Sequence, residues 1–317
     1  MESEKKMSYN EFKPSFIKGL IALTHRELKK WLNDPIMVIM FILQPLIWMG
    51  LLGKSINIQG LFSIENIKLP STIILPGNVT IPPSQSYIIL NGTFLSQIFA
   101  EFGSTIMKST FGVEDYFSFM AIGMISMIVV MTTMFSGMSI VWDRRLGFLN
   151  KVMSTPVSRA AIILSKIINS ALRAIFQASV ILALAYLLGL KISNSFSIIN
   201  ILGIYTAIFL LSAGLSSIFI AFSIRATRME RPMQFINLIV MPLMFSSNVF
   251  FPTKLMPEWM QTIVNINPIT YLTDAIRQLT IVSIEPSTLI LDFVYLSIFA
   301  IVLTTIGIVL SWHYLTK

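Results

Sequence analysis

Four groups of residues in this sequence have types and spacing that bear on chemistry. The first is Gly50–Ser55, GLLGKS, which reads like the end of a phosphate-binding loop. Such a loop cradles phosphate on backbone N–H groups and needs a glycine five residues before its second glycine. Trp48 holds that position and Gly50 is displaced by two, so a nucleotide site is rejected. The chain is not expected to hydrolyse ATP by itself. The second group is His25 and His313, which lie near opposite ends of the chain. With no cysteine present, disulfides, thiolate metal sites and a cysteine nucleophile are excluded, and no metal site is expected.

The third group is a polar stripe. Lys166, Asn169, Ser170, Arg173 and Gln177 recur at i, i+3, i+4, i+7 and i+11, one face of a helix. Lys166 is expected to snorkel to headgroups or to project into water. Arg173 and Gln177 lie deeper and are candidates for a polar pathway or a helix contact. Asp292 has two readings as well, a proton relay or an acid in the first turn of a helix, where the dipole favours negative charge. No paired carboxylates, Ser/His pair or metal cluster falls in the apolar runs, so no catalytic centre is expected.

The fourth group is the strip Val141–Ala160, VWDRRLGFLNKVMSTPVSRA. It carries Arg144, Arg145, Lys151 and Arg159, with Asp143 its one acid. Each basic residue placed in hydrocarbon would cost roughly 3 kcal/mol, so the strip lies in water. Leu146, Leu149 and Met153 recur on one side of Asp143–Met153, which reads as a short amphipathic helix. That helix is either a docking knob for a partner or a loop that sets orientation; charge alone does not separate the two.

The elements that position these groups follow from composition. The chain is 55% hydrophobic and 12% charged, against about 25% charged in soluble domains. An all-α integral membrane protein is expected. Its net charge of +8 sits beside apolar runs, which points to membrane orientation and lipid, not to nucleic acid. Six spans are expected: Pro35–Leu52, Phe117–Val141, Ala161–Leu190, Ile198–Ile224, Met233–Phe251 and Thr288–Trp312. Each is long enough for a hydrocarbon core of about 30 Å, the third, Ala161–Leu190, exceeding it, and the runs are continuously apolar, unlike the alternating strands of a barrel. No cleavable signal peptide is expected, the first run serving as an uncleaved start-transfer helix.

Lys and Arg concentrate before the first span, in residues 142–160 and in the turn RATRMER after the fourth. That side is expected to be cytoplasmic, with both termini inside. Residues 53–116 then form a small external cap with short strands and turns, and the sequons at Asn78 and Asn91, candidates for glycosylation, fall within it. Ser15–Asn33 in the cytoplasmic segment 1–34 reads as an amphipathic interfacial helix. In the transmembrane domain, 35–317, residues 252–284 are broken by Pro252, Pro257 and Pro268 into short re-entrant or interfacial helices, with Asn267 capping the last. Pro45 and Pro242 lie mid-span. Gly203, Ala207, Ala213, Ser217 and Ala221 permit close packing of the fourth span.

On these residues the chain resembles a family. WDRRLGFLNKVMSTPVSRAAIILSKIINSALRAIFQA, Trp142–Ala178, is similar to the signature region of type 2 ABC exporter permeases, especially their daunorubicin-resistance-like multidrug efflux branch. NPITYLTDAIRQL, Asn267–Leu279, resembles the segment before that family's last span, and the external segment is longer than in compact members. The resemblance implies a cell-membrane permease working as a homodimer or with a related permease. Separate cytoplasmic ABC ATPase subunits would bind ATP and Mg, and this chain would bind no cofactor. It implies coupling contacts to the ATPase through Arg144, Arg145, Gly147 and Phe148, with Glu27 a polar partner from the amphipathic helix. The expected cargo is a hydrophobic or amphipathic, drug-like small molecule. The alternatives are a lipid-linked glycan or polysaccharide, a self-sufficient secondary transporter or channel, and a membrane scaffold without transport.

Overall fold

The computed structural model describes residues 16–54, 101–226, 228 and 230–316. Within the expected external cap, 53–116, residues 101–111 are helical and not stranded, and residues 55–100, with both sequons, lie outside the described residues. Helix α1, Phe16–Leu32, ends where Asp34 accepts a hydrogen bond from Met37 N at 3.2 Å and Pro35 takes the first position of α2, Pro35–Trp48. Beyond Pro45 the winding loosens, and Met49–Lys54 continue as a π-helix. Gly53 is buried there, and a Cβ on it would come within 3.1 Å of the Phe117 ring. The GLLGKS stretch is therefore packed helix, not a phosphate-binding loop.

Helix α3, Tyr116–Ser136, is the centre of the bundle. Asp115 caps it by accepting from Ser118 N at 2.9 Å, and nearly every side chain along it is buried. It packs on α2, on α6 (Arg159–Leu187), on α7 (Ile198–Ser223) and on α10 (Pro268–Thr280). Between α3 and α6 lie two short helices, α4 (Met138–Arg145) and α5 (Phe148–Met153). After α7 come α8 (Glu230–Phe245), α9 (Glu258–Val264) and α10, and α11 (Pro286–Thr316) closes the chain. The expected small-residue packing of the fourth span is seen where α7 lies along α11: a Cβ on Gly307 would stand 2.6 Å from that of Ser217.

Among the described residues, five helical stretches are long and apolar enough to cross a membrane. They are Pro35–Lys54, the stretch within Glu101–Arg145 that holds α3, Arg159–Leu187, Ile198–Ser223 and Pro286–Tyr314. The fifth expected span, Met233–Phe251, holds α8, which starts earlier, contains Pro242 and is 16 residues long. That is about 24 Å at 1.5 Å per residue. The chain turns at residues 246–251 and continues through two short helical pieces, Thr253–Leu255 and Glu258–Val264, before α10. Asn267 accepts from Ile269 N at 2.9 Å, capping α10, whose Ile269, Leu272, Ile276 and Leu279 are all buried.

Two expectations are corrected. Asp292 is not in the first turn of the last helix, because that helix begins at Pro286; the side chain is buried and accepts from Gln278 Nε2 at 3.1 Å. Asp143–Met153 is not one amphipathic helix. Gly147 adopts φ +69°, a left-handed conformation that glycine takes without a Cβ clash, and it splits the segment into α4 and α5. Leu149 then faces inward while Leu146 and Met153 face out.

Candidate functional site

The charged strip forms a platform with a dry underside and an exposed tip. Ile140, Val141, Leu149 and Val152 are buried against Ile162, Ile163 and Ile167 of α6 and Ile220 and Ile224 at the end of α7. On the outer side Trp142 is 47% exposed, Leu146 69% and Met153 39%, with Arg145 and Lys151 exposed among them. Large apolar side chains flanked by cations, on a backbone fixed from beneath, make a surface suited to a complementary protein groove with an acidic rim.

Beneath the platform lies a buried ion cluster assembled from three elements. Lys166 of α6 donates to Asp143 Oδ2 of α4 at 2.5 Å, to Ser139 Oγ at 3.1 Å and to Glu27 Oε1 of α1 at 3.3 Å. The exposures are 5% for Lys166, 2% for Asp143 and 4% for Glu27. Arg26 reaches Glu27 Oε1 at 2.9 Å and Asp143 Oδ1 at 3.7 Å, while Lys30 lies 3.8 Å from Asp143 Oδ1. Arg173 donates to the Glu27 carbonyl at 2.9 Å and lies 3.7 Å from its carboxylate. Asn169 donates to the Thr24 carbonyl at 3.2 Å. Desolvating Glu27, Asp143, Lys166 and Arg173 is costly, and the arrangement stands because each of these charges faces an opposite one, with the more exposed Arg26 and Lys30 adding to it from the rim.

The cluster fastens α1 to the strip and to α6 together. The Arg26 guanidinium lies 3.3 Å from the centroid of the Phe148 ring in α5. Gly19 presses on Val157, whose methyl group a Cβ would meet at 2.9 Å, and Trp31 packs edge-on against Phe176 at 5.5 Å. Ile17, Ile21 and Leu32 of the same helix remain exposed, an apolar edge suited to lipid.

The expected site residues therefore divide. Arg145 is exposed on the tip, and Gly147 makes the turn that presents it. Arg144 is directed back into the chain, where its NH1 donates to the Ile224 carbonyl at 2.8 Å and satisfies the end of α7. Phe148 lies under Arg26, and Glu27 is enclosed within the cluster, so both carry contacts inside the chain. Arg173 and Gln177 make helix contacts: Arg173 binds α1, and the Gln177 side chain accepts from Thr132 of α3. Lys166 neither snorkels nor projects into water, because Asp143 and Glu27 hold it.

Sequence reasoning missed Asp143, Ser139 and the pairing role of Lys166. The available signal was that Asp143 is the one acid in a basic strip and Lys166 the first member of a polar stripe. The described residues hold no group of three His, Cys, Asp or Glu side chains that could hold a metal.

The sequence pattern of the ABC-2 type transporter family matches residues 18–281. Relatives include a daunorubicin resistance ABC transporter permease protein, DrrB1, of Streptomyces coeruleorubidus, 29% identical over 178 residues, covering 56% of this chain and 61% of the relative. A protein carrying the name transport permease ycf38, of Cyanophora paradoxa, is 24% identical over 278 residues, covering 87% of this chain and 78% of the relative. A protein carrying the name multidrug ABC transporter permease YbhR, of Escherichia coli (strain K12), is 26% identical over 169 residues, covering 52% of this chain and 44% of the relative. The match thus spans about three-fifths of the Streptomyces protein and less than half of the Escherichia one.

Proposed function

We propose that this chain, which belongs to the ABC-2 type transporter family, is the membrane permease of an ATP-driven exporter and docks a separate ATPase through the tip of its charged strip. The observation that carries this reading is the tip itself. Trp142, Arg145, Leu146 and Met153 stand out from a platform that the Glu27–Asp143–Lys166 cluster locks to α1 and α6. A push on the tip would move the strip, the surface helix and a spanning helix as one body, as transmission requires.

In this reading α8 and the turn after it complete a sixth span. The basic end faces the cytoplasm with both termini, and two copies, or one copy with a related permease, enclose the pathway. ATP and Mg belong to the ATPase subunits. The cargo class, hydrophobic or amphipathic small molecules, is taken from the drug-resistance and multidrug names that relatives carry. The Gln177–Thr132 and Arg173–Glu27 contacts count against a self-contained polar conduit at those residues, because both side chains hold helices together.

The test is reconstitution in proteoliposomes, with and without the ATPase subunit that co-purifies with the chain. Export of a lipophilic drug probe only when both proteins and ATP are present supports the reading. Equal flux through the chain alone sinks it in favour of a self-sufficient transporter or channel.

A further inference from the structure

A cavity of about 480 Å³ opens at the end of the bundle opposite the charged strip, between α10, the start of α11 and the turn after α8. This volume is in the range of small-molecule sites. Asn248 in its wall is 4% exposed. Its Nδ2 donates to Asp274 Oδ1 at 2.6 Å, which fixes the amide orientation and leaves Asn248 Oδ1 buried without a hydrogen-bond partner. Asp292 lines the same space and is oriented by Gln278, whose own Oε1 accepts from Glu285 N and from Thr288 Oγ1.

The charges lining the cavity are Asp274, Glu285 and Asp292 against Lys254 and Arg277. Arg277 pairs with Asp274, which leaves Asp292 and Glu285 against Lys254. The Arg277 NH2 is committed to the Asn248 carbonyl at 2.9 Å, its guanidinium lies 3.7 Å from the centroid of the Phe119 ring, and its NH1 lies 3.8 Å from Asp274. Lys254 stands at the rim, 3.5 Å from the Ser109 carbonyl. The cavity is thus net acidic, and a buried acceptor beside its carboxylates lacks a donor. Phe111, Tyr271 and Leu291 add an apolar wall. An ammonium head supplies both charge and donors, and an apolar body would cover that wall. Among the described residues no acidic group suits a metal ion instead.

We propose that this cavity binds an amphipathic organic amine, its ammonium seated between Asp274, Asp292 and Asn248 Oδ1. The inference concerns binding alone and does not rest on the export reading.

The test uses the full chain in lipid nanodiscs, without an ATPase, titrated with 2-naphthylethylammonium and with its neutral match 2-naphthylethanol. Empty nanodiscs correct for partition. The ammonium is expected to bind saturably and at least about tenfold more tightly than the alcohol, as for one charge-assisted hydrogen bond. In the wild-type chain it should protect Asp274 and Asp292 from carbodiimide labelling, read by mass spectrometry, a measurement that requires no variant to fold. Asp274→Asn and Asn248→Leu should each weaken the ammonium about tenfold and leave the alcohol unchanged. Equal binding of the two probes, or labelling of both carboxylates undiminished by the ammonium, overturns the proposal.

Discussion

Lys166 and Asp143 are 23 residues apart in sequence and 2.5 Å apart in space, with both side chains almost fully buried. Glu27, 139 residues from Lys166, shares the same ammonium at 3.3 Å. One cation therefore joins the surface helix, the charged strip and a spanning helix.

Removing that cation leaves two carboxylates facing into the bundle. Lys166→Met is expected to destabilise the chain by about 3–5 kcal/mol, the usual cost of breaking a buried pair from one side. Denaturant unfolding in detergent micelles measures it. A loss below about 1 kcal/mol would mean that water reaches the cluster and that it does not clamp α1.

Arg26 is more exposed, and its loss should act locally. Arg26→Ala removes the contact with the Phe148 ring and one partner of Glu27, together about 1 kcal/mol at a half-exposed site. Hydrogen exchange should quicken along Phe16–Leu32 and remain unchanged in α3. Uniform quickening across the bundle would show that α1 is not a separable clamp.

Gly147 has open space where a Cβ would be, so only its backbone opposes substitution. Gly147→Ala is expected to cost about 1–2 kcal/mol from the left-handed conformation and to lower ATPase recruitment by turning Arg145 and Leu146 aside. Unchanged stability together with unchanged recruitment would mean that the turn tolerates another geometry.

A different glycine tests packing. A Cβ on Gly123 would come within 2.3 Å of the Val249 carbonyl, whereas one on Gly50 would meet nothing within 4 Å. Gly123→Ala should therefore destabilise by about 1–3 kcal/mol, as overpacking does, and Gly50→Ala should be neutral or slightly stabilising. Thermal unfolding of the two variants side by side decides it, and equal midpoints would contradict the placement of the turn after α8.

Much of the architecture could be read from continuous apolar runs and from the Asn267 cap with Pro268 after it. Lys and Arg clustering located the strip, and helical spacing located α1. What stayed hidden depended on contacts across the chain. Arg144 and Arg145 are adjacent, alike in type and both exposed, yet Arg144 alone donates to the Ile224 carbonyl at the end of α7; no local pattern distinguishes them. Glu27 looks like a surface acid on an amphipathic helix because periodicity records which face a residue occupies, not what lies against that face. The split at Gly147 was missed because the apolar spacing of Leu146, Leu149 and Met153 fits an unbroken helix. Asp292 was misplaced by estimating the start of α11 at Thr288 from hydropathy, when Pro286 begins the helix.

The central claim is that the exposed tip of the strip docks an ATPase. Arg145→Glu combined with Leu146→Asp alters two exposed side chains and leaves the Lys166 cluster untouched, so the unfolding midpoint should not move. Binding of the co-purifying ATPase to the nanodisc-embedded chain, measured by surface plasmon resonance, should weaken at least about tenfold, the loss expected of an interface anchor. Undiminished binding by this stable double variant would contradict the account and place the ATPase contact elsewhere on the chain.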